Sequence, residues 1–245
     1  MSDFLPSNRV VAACVALVPL FFSSGAYADC ERYLFQCQGY SGPTGQPSIA
    51  APSFDAGFGQ QNPPAYGALG GEPFPVTAVN LTDIDPAFLR QNVYYGTSEA
   101  PGTIVIDPRN HFLYFVQGGG RAIRYGVGVG REGFGWSGVA TIHDKREWPD
   151  WYPPKEMIER QPEIKRQMSE LQSGLGMHGG SRNPLGARAM YLWQDNKDTL
   201  FRIHGTVEPW TIGKSVSSGC IRMINQDAID LYERAAVGTK VVVLN

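Results

Sequence analysis

The strongest constraint on this chain is the block from Thr103 to Val129, where apolar runs are separated by turns of only a few residues. Thr103-Ile104-Val105-Ile106 precedes a Pro108-Arg109-Asn110 turn, and the run from His111 to Val116 precedes Gly118-Gly119-Gly120. Ala122 to Val129 completes the set. β-Branched and aromatic residues suit a pleated strand, whereas Gly, Pro and Asn interrupt it. Connections this short join antiparallel neighbours, so the block predicts a β-meander. Tyr191 to Trp193 and Leu200 to His204 read as further strands. Val241-Val242-Val243-Leu244 is a closing strand too apolar to lie outside the core.

Helical signals are few. Ile84 to Val93, with Asp85-Pro86 as cap and first turn, predicts a brief helix leading into the domain. Lys155 to Leu171 is charged and interrupted by Pro162, which predicts one or two short helices that either cover a cleft or lie solvated beside the sheet. A third runs from Gln226 to Ala236, with Asn225 as its cap, Asp227 in its first turn and Gly238 as its stop. The expected fold class is mainly β with a few short helices.

Chemistry concentrates near the C-terminus, in Ile203-His204-Gly205-Thr206 and Ser217-Ser218-Gly219-Cys220-Ile221-Arg222-Met223. A cysteine attacks as its thiolate, so it needs a base or a positive field nearby, and an imidazole supplies both. The small residues before Cys220 let the backbone bend sharply and aim N–H groups at a developing oxyanion. Such a turn suits acyl transfer. Gly128-x-Gly130-x-x-Gly133 matches a dinucleotide fingerprint only superficially, because Phe134-Gly135-Trp136-Ser137-Gly138 cannot open the helix that would hold a pyrophosphate. The four histidines, His111, His143, His178 and His204, share no metal-ligand spacing. Neither a cofactor nor a metal is expected.

His-Gly-Thr followed by Ser-x-Gly-Cys-Ile-Arg resembles the active-site signature of the L,D-transpeptidases, the YkuD-type catalytic domain of bacterial cell-wall enzymes. Trp148-Pro149-Asp150-Trp151-Tyr152-Pro153-Pro154, Met157, Arg160-Gln161-Pro162 and Asn183-Pro184-Leu185-Gly186-Ala187-Arg188 resemble stretches of the same domain in the same order. The resemblance runs from about residue 102 to 245. It implies a β-sandwich-like fold, with Cys220 as nucleophile, His204 as base and the Gly205 carbonyl orienting the imidazole. Backbone N–H groups of Gly219 and Cys220, with Ser218, would form the oxyanion hole. Ser218 departs from the pattern, since many members have histidine there.

The resemblance puts Arg222, His178 and Trp210 on the substrate side. Arg222 would bind a stem-peptide carboxylate or fix its loop; the alternative is a salt bridge to Asp227 or Asp230. For His178 the alternative is a surface histidine. The implied reaction is transpeptidation of peptidoglycan stem peptides, with a tetrapeptide donor, a diamino-acid acceptor and 3→3 cross-links made through a Cys thioester. An L,D-carboxypeptidase, an enzyme that anchors envelope proteins to the wall, and a non-catalytic peptidoglycan-binding module are the rival readings. Covalent inhibition by carbapenem-type lactams follows from the same resemblance.

Residues 1–28 read as an export signal, with Arg9 before the apolar run Val10 to Phe22 and Ala26-Tyr27-Ala28 as the cleavage site. An uncleaved anchor is the alternative. The destination is the periplasm, in association with peptidoglycan. Residues 29–80 read as a Pro/Gly-rich flexible linker, carrying Cys30 and Cys37 as either a disulfide or two independent thiols. Its scattered aromatics, Phe54, Phe58, Tyr66 and Phe74, either contact a partner or do nothing. A formal net charge of −2 and the absence of Lys/Arg runs exclude nucleic acid as an expected partner.

Overall fold

The structure, a computed structural model, describes residues 63–131 and 135–245. The expected export signal, Cys30 and Cys37, Phe54 and Phe58, and Gly133 lie outside the described residues. Among the described residues the strands are β1 (Gln91–Tyr94), β2 (Ile104–Asp107), β3 (Phe112–Gly118), β4 (Arg121–Gly126), β5 (Val129–Gly130), β6 (Gly138–Glu147) and β7 (Ser169–Leu171), then β8 (Gly174–Gly176), β9 (Arg188–Gln194), β10 (Lys197–His204), β11 (Ser215–Ser217), β12 (Ile221–Arg222) and β13 (Lys240–Val243). The α-helices are α1 (Lys155–Arg160) and α2 (Asn225–Arg234).

Nine strands form one mixed sheet in the order β1-β4-β3-β2-β13-β6-β9-β10-β12. The β2–β3–β4 meander is antiparallel, as its short turns require. β13 joins the two halves, pairing parallel with β2, where Val241 meets Ile104, and antiparallel with β6, where Val241 meets Ala140. This placement gives it a partner on both edges, with Val241 and Val243 buried and Val242 partly so, which suits its unbroken run of valines. Beyond the far edge, Arg222 of β12 exchanges two backbone hydrogen bonds with Gly128, just after β4, at 2.8 and 2.9 Å. The sheet thus bends round on itself. Its inner face supplies one core, with Ile104, Leu113, Tyr125, Ile142, Met190 and Ile203 fully buried, and Ala228 and Leu231 of α2 close it. The result is mainly β and sandwich-like, with β5/β11 and the β7/β8 hairpin as small additions.

Three expectations need correction. Ile84 to Val93 does not form a helix. Asp85 does cap a turn, accepting from the Ala87 N–H at 2.8 Å, but that turn is a single 3-10 turn, Pro86–Phe88, and the chain then extends into β1. Pairing with the otherwise open edge of β4 satisfies four residues at once and outweighs the local helical signal. Asn225 does not cap α2 either. Ile224 stands at the cap position, and Asn225 Oδ1 instead accepts from the Ala187 N–H at 3.0 Å.

Residues 63–80, expected to be linker, pack against the domain. Tyr66 and Val76 are buried, and Gln226 Nε2 donates to the carbonyls of Gly67 and Thr77 at 3.0 and 2.9 Å. Glu72 makes a two-pronged bond with the buried Arg188 at 2.7 and 2.9 Å and accepts from Trp148 Nε1 at 2.8 Å. The hydrogen bond from Arg188 holds the Glu72 carboxyl below its usual range despite partial burial. Composition missed this because two apolar anchors and one ion pair are enough to dock a short segment.

Candidate active site

β10 and β12 run parallel, with Ile203 opposite Ile221 and both side chains in the core. Side chains alternate along a strand, so Arg202, His204 and Arg222 lie on the opposite face. Cys220, one residue before Ile221, continues that face beside Arg202 and two positions from His204. The expected nucleophile and the expected base are thereby presented on one surface by strand register.

The turn before Cys220 is tied by Ser217, whose Oγ donates to the Cys220 carbonyl at 2.7 Å and accepts from the Gly219 N–H at 3.1 Å. Gly219 sits at φ 119°, a conformation open to glycine and strained for other residues. Its N–H is taken up by Ser217 Oγ and points into the turn. Ser218 is exposed at the turn's outer side.

His204 is buried, and its Nδ1 meets the Gly205 carbonyl at 2.5 Å. A carbonyl only accepts, so Nδ1 carries the proton and Nε2 is left as the basic nitrogen. Burial pushes the imidazole pKa down to about 4; the bond to Gly205 opposes this and the charges of Arg222 and Arg202 add to it. Burial likewise raises the Cys220 thiol, while a backbone bond from Arg202 and the charges of Arg202 and Arg222 pull it back. Both groups rest neutral near pH 7. The arrangement fits a base that takes the proton as the thiol attacks, not a preformed ion pair.

Beside the thiol, β10 carries a bulge between Asp198 and Arg202. Leu200 there has φ 63° and an exposed side chain, and its carbonyl lies 3.9 Å from Cys220 Sγ. A leucine in this region is an outlier held by its surroundings. Asp198 holds it, accepting from the Leu200 N–H at 2.8 Å and from both Arg202 nitrogens at 2.7 and 2.8 Å. Asp198, Leu200 and Arg202 went unnoticed in the sequence, where only the position of Arg202, two residues before His204, hinted at a shared face.

A cleft of about 500 Å³ is walled by Ser217, Ser218 and Arg222, the neighbours of Cys220, and across from them by Met157, Ile164 and Arg182. Arg222 bonds Glu208 at 2.9 Å, not Asp227 or Asp230 as the alternative reading had it. Those two acids face Arg90, at 3.7 and 2.7 Å. His178 and Trp210 do not line the cleft. His178 is exposed, with Nδ1 3.4 Å from Asp150, beside a neighbouring hollow that shares Gln167, Met177 and Arg182 with the cleft. Trp210 borders another hollow, with Pro75, Asn80 and Trp148. Gly128 and Gly130 are sheet residues; a Cβ on Gly128 would come within 2.9 Å of the Thr211 carbonyl, so that glycine serves packing.

The family model for the L,D-transpeptidase catalytic domain, YkuD, matches residues 101–243. The chain is 30% identical over 149 residues to the probable L,D-transpeptidase ErfK/SrfK of Escherichia coli (strain K12), spanning 58% of this chain and 44% of that one. It is 33% identical over 146 residues to the probable L,D-transpeptidase YcfS of the same strain, spanning 58% and 43%. The matched region thus covers less than half the length of these curated relatives. A crystal structure described as a probable carnitine operon oxidoreductase from Brucella melitensis shares 56% identity over 67% of this chain and 99% of its own, with a TM-score of 0.44. That description names a different chemistry and belongs to that protein. The family model covers more than half of the present chain and contains His204, Gly205, Cys220 and Arg222, and on that ground the chain belongs to the L,D-transpeptidase (YkuD) catalytic-domain family.

Proposed function

We propose that this protein is a periplasmic, cysteine-dependent L,D-transpeptidase that joins peptidoglycan stem peptides by 3→3 cross-links. The observation that carries the proposal is the His204 tautomer. With Nδ1–H held by the Gly205 carbonyl, Nε2 is free to accept a proton on the face shared with Cys220. In the first half-reaction Sγ attacks the carbonyl of the third stem residue while Nε2 takes the thiol proton. Collapse of the tetrahedral adduct breaks the bond to the terminal D-alanine, whose amine leaves with that proton, and a thioester remains. In the second half-reaction the side-chain amine of a diamino acid on a neighbouring stem gives a proton to Nε2 and attacks the thioester. The new amide forms, and the thiol regains its proton.

The backbone N–H groups of Cys220 and Ser218 are the oxyanion donors in this scheme, because that of Gly219 is engaged. Stem peptides carry carboxylates, and the cleft offers Arg131, Arg182 and Arg222 to them. A strained carbapenem carbonyl would acylate Cys220 by the same first half-reaction. Mass spectrometry of products from disaccharide-tetrapeptides tests the reading: a cross-linked dimer supports it. A trimmed tripeptide alone would mean that water resolves the thioester, and an adduct on an added envelope protein would mean wall anchoring; either outcome displaces it.

A further inference from the structure

The carbonyl that orients His204 belongs to the Gly205–Thr206 peptide group, and that group is packed against two neighbours. One is Gly186, at φ 64°; a Cβ there would meet Gly205 C and Thr206 N at 2.7 Å. Adjacent to both glycines is the side-chain amide of Asn225, whose Oδ1 would lie 2.1 Å from a Cβ on Gly205 and 2.2 Å from one on Gly186. Both positions therefore need glycine for close approach. Asn225 Oδ1 is itself fixed by the Ala187 N–H at 3.0 Å, and Asn225 starts α2, whose Leu231 and Ala228 are buried in the core. The Gly205 N–H donates to the Arg188 carbonyl at 3.0 Å and the His204 carbonyl accepts from Met223 at 2.8 Å, so the rest of the turn is also held.

We propose that Asn225 is a positioning residue for the reaction: it clamps the Gly205–Thr206 peptide plane, and through the Gly205 carbonyl it fixes the tautomer and direction of the His204 imidazole. The assignment of His204 as base rests on the function proposed above. The clamp itself is a statement about His204 and Gly205 that needs no turnover to observe. The charged and titratable groups on the imidazole's face are Arg202, paired with Asp198, Arg222, paired with Glu208, and the Cys220 thiol. Asn225 adds no charge to them, so its effect is geometric.

The test is nitrogen-15 NMR of the histidine rings in the full chain, together with kinetics on tetrapeptide donor. In wild type the His204 Nδ1 proton should exchange slowly. In Asn225→Ala its exchange should quicken at least about 10-fold, the imidazole should titrate higher as it gains water, and kcat should fall about 10- to 100-fold with little change in KM. Asn225→Asp keeps an oxygen for the Ala187 N–H, so the Nδ1 proton should stay protected and most of kcat should return, while the new carboxylate raises the imidazole pKa. A protected Nδ1 proton and an unmoved titration in Asn225→Ala would overturn the proposal, even if thermal stability fell. Should that variant not fold, Asn225→Ser, which keeps a polar side chain but withdraws its oxygen from Gly205, serves instead, and an Nδ1 proton as protected there as in wild type overturns it equally. Wild-type protein that shows the protected proton yet makes no cross-link would refute the transpeptidase reading and leave the clamp standing.

Discussion

The two walls of the cleft are built differently. On the sheet wall Ser217 is buried, and behind it His204 is buried with Ile203 and Ile221 anchored in the core and the Gly205–Thr206 peptide packed against Gly186 and Asn225. On the opposite wall, residues 149–186 form a six-residue helix, a 3-10 turn at Pro162–Gln167 and a hairpin of two three-residue strands, and neither α1 nor that turn buries a single residue. The lesson is a division of labour. Positions on the sheet side are backed by a core, whereas α1 and the 3-10 turn opposite bury little and are the places where a bound ligand could be accommodated at small cost, if the proposed function holds.

Several substitutions would break or sharpen this contrast. The largest effect is expected at the nucleophile: Cys220→Ala or Cys220→Ser should lower product formation by roughly 10³-fold or more without shifting the melting temperature, and should abolish the carbapenem mass adduct. Labelling elsewhere on the chain by the same drug would count against Cys220. Next comes the base. His204→Ala should slow acylation by about 10²–10⁴-fold at neutral pH and recover in part as alkali forms the thiolate unaided. In the wild type the acid limb of kcat/KM should lie near 4, where burial places the imidazole, well below the ordinary histidine range. A limb near 6.5 would show that water reaches the His204 imidazole.

Stability should respond on the sheet wall and at the segment that docks behind it. Leu231→Ala, at a fully buried position of α2, should cost about 2–5 kcal/mol in denaturant unfolding. A chain beginning at Leu81 in place of Pro63 leaves the buried Arg188 without Glu72, and should lose about 3–5 kcal/mol. Equal stability of the two chains would return residues 63–80 to the status of linker. Asp227 gives a finer test. Its carboxyl is fully buried, and burial raises its pKa to about 7 in spite of the opposing charge of Arg90. A raised carboxyl binds its proton more tightly in the folded state, so its contribution is present at acid pH and is lost as pH climbs from about 4 toward 7. Asp227→Asn should remove that decline. On the wall opposite the sheet, where α1 and the 3-10 turn bury no residue, the effects should be smallest: Ile164→Ala should leave the melting temperature within about a degree and change KM only a few-fold.

How much of this was legible beforehand follows from the range of the interactions. The meander and the closing strand could be read because apolar period and turn chemistry act over a few residues. His204, Gly205 and Cys220 stood in a recognisable pattern for a similar reason, each within a short motif. What could not be read is what depends on distant pairing. Ile84 to Val93 carries a helix signal, and only the open edge of β4 turns its second half into a strand. Asn225 has the chemistry of a cap, and only the nearness of Gly186 and Gly205 gives it another task. Trp210 and His178 lie close in sequence to motif residues yet face other hollows, because loops after strands can turn either way.

The position of β13 has a consequence for how the molecule comes into being. The strand that bridges the two halves of the sheet is the last in sequence, and it pairs with β2 across a separation of well over a hundred residues. Parallel pairing over such a distance carries a large loop-closure cost before any contact repays it, which makes folding slow. Until β13 is available, the meander and the half that holds His204 and Cys220 lack their common seam. The strand order therefore ties the half that carries His204 and Cys220 to the meander only through the last strand, so the two halves share their seam only once residues 240–243 have docked.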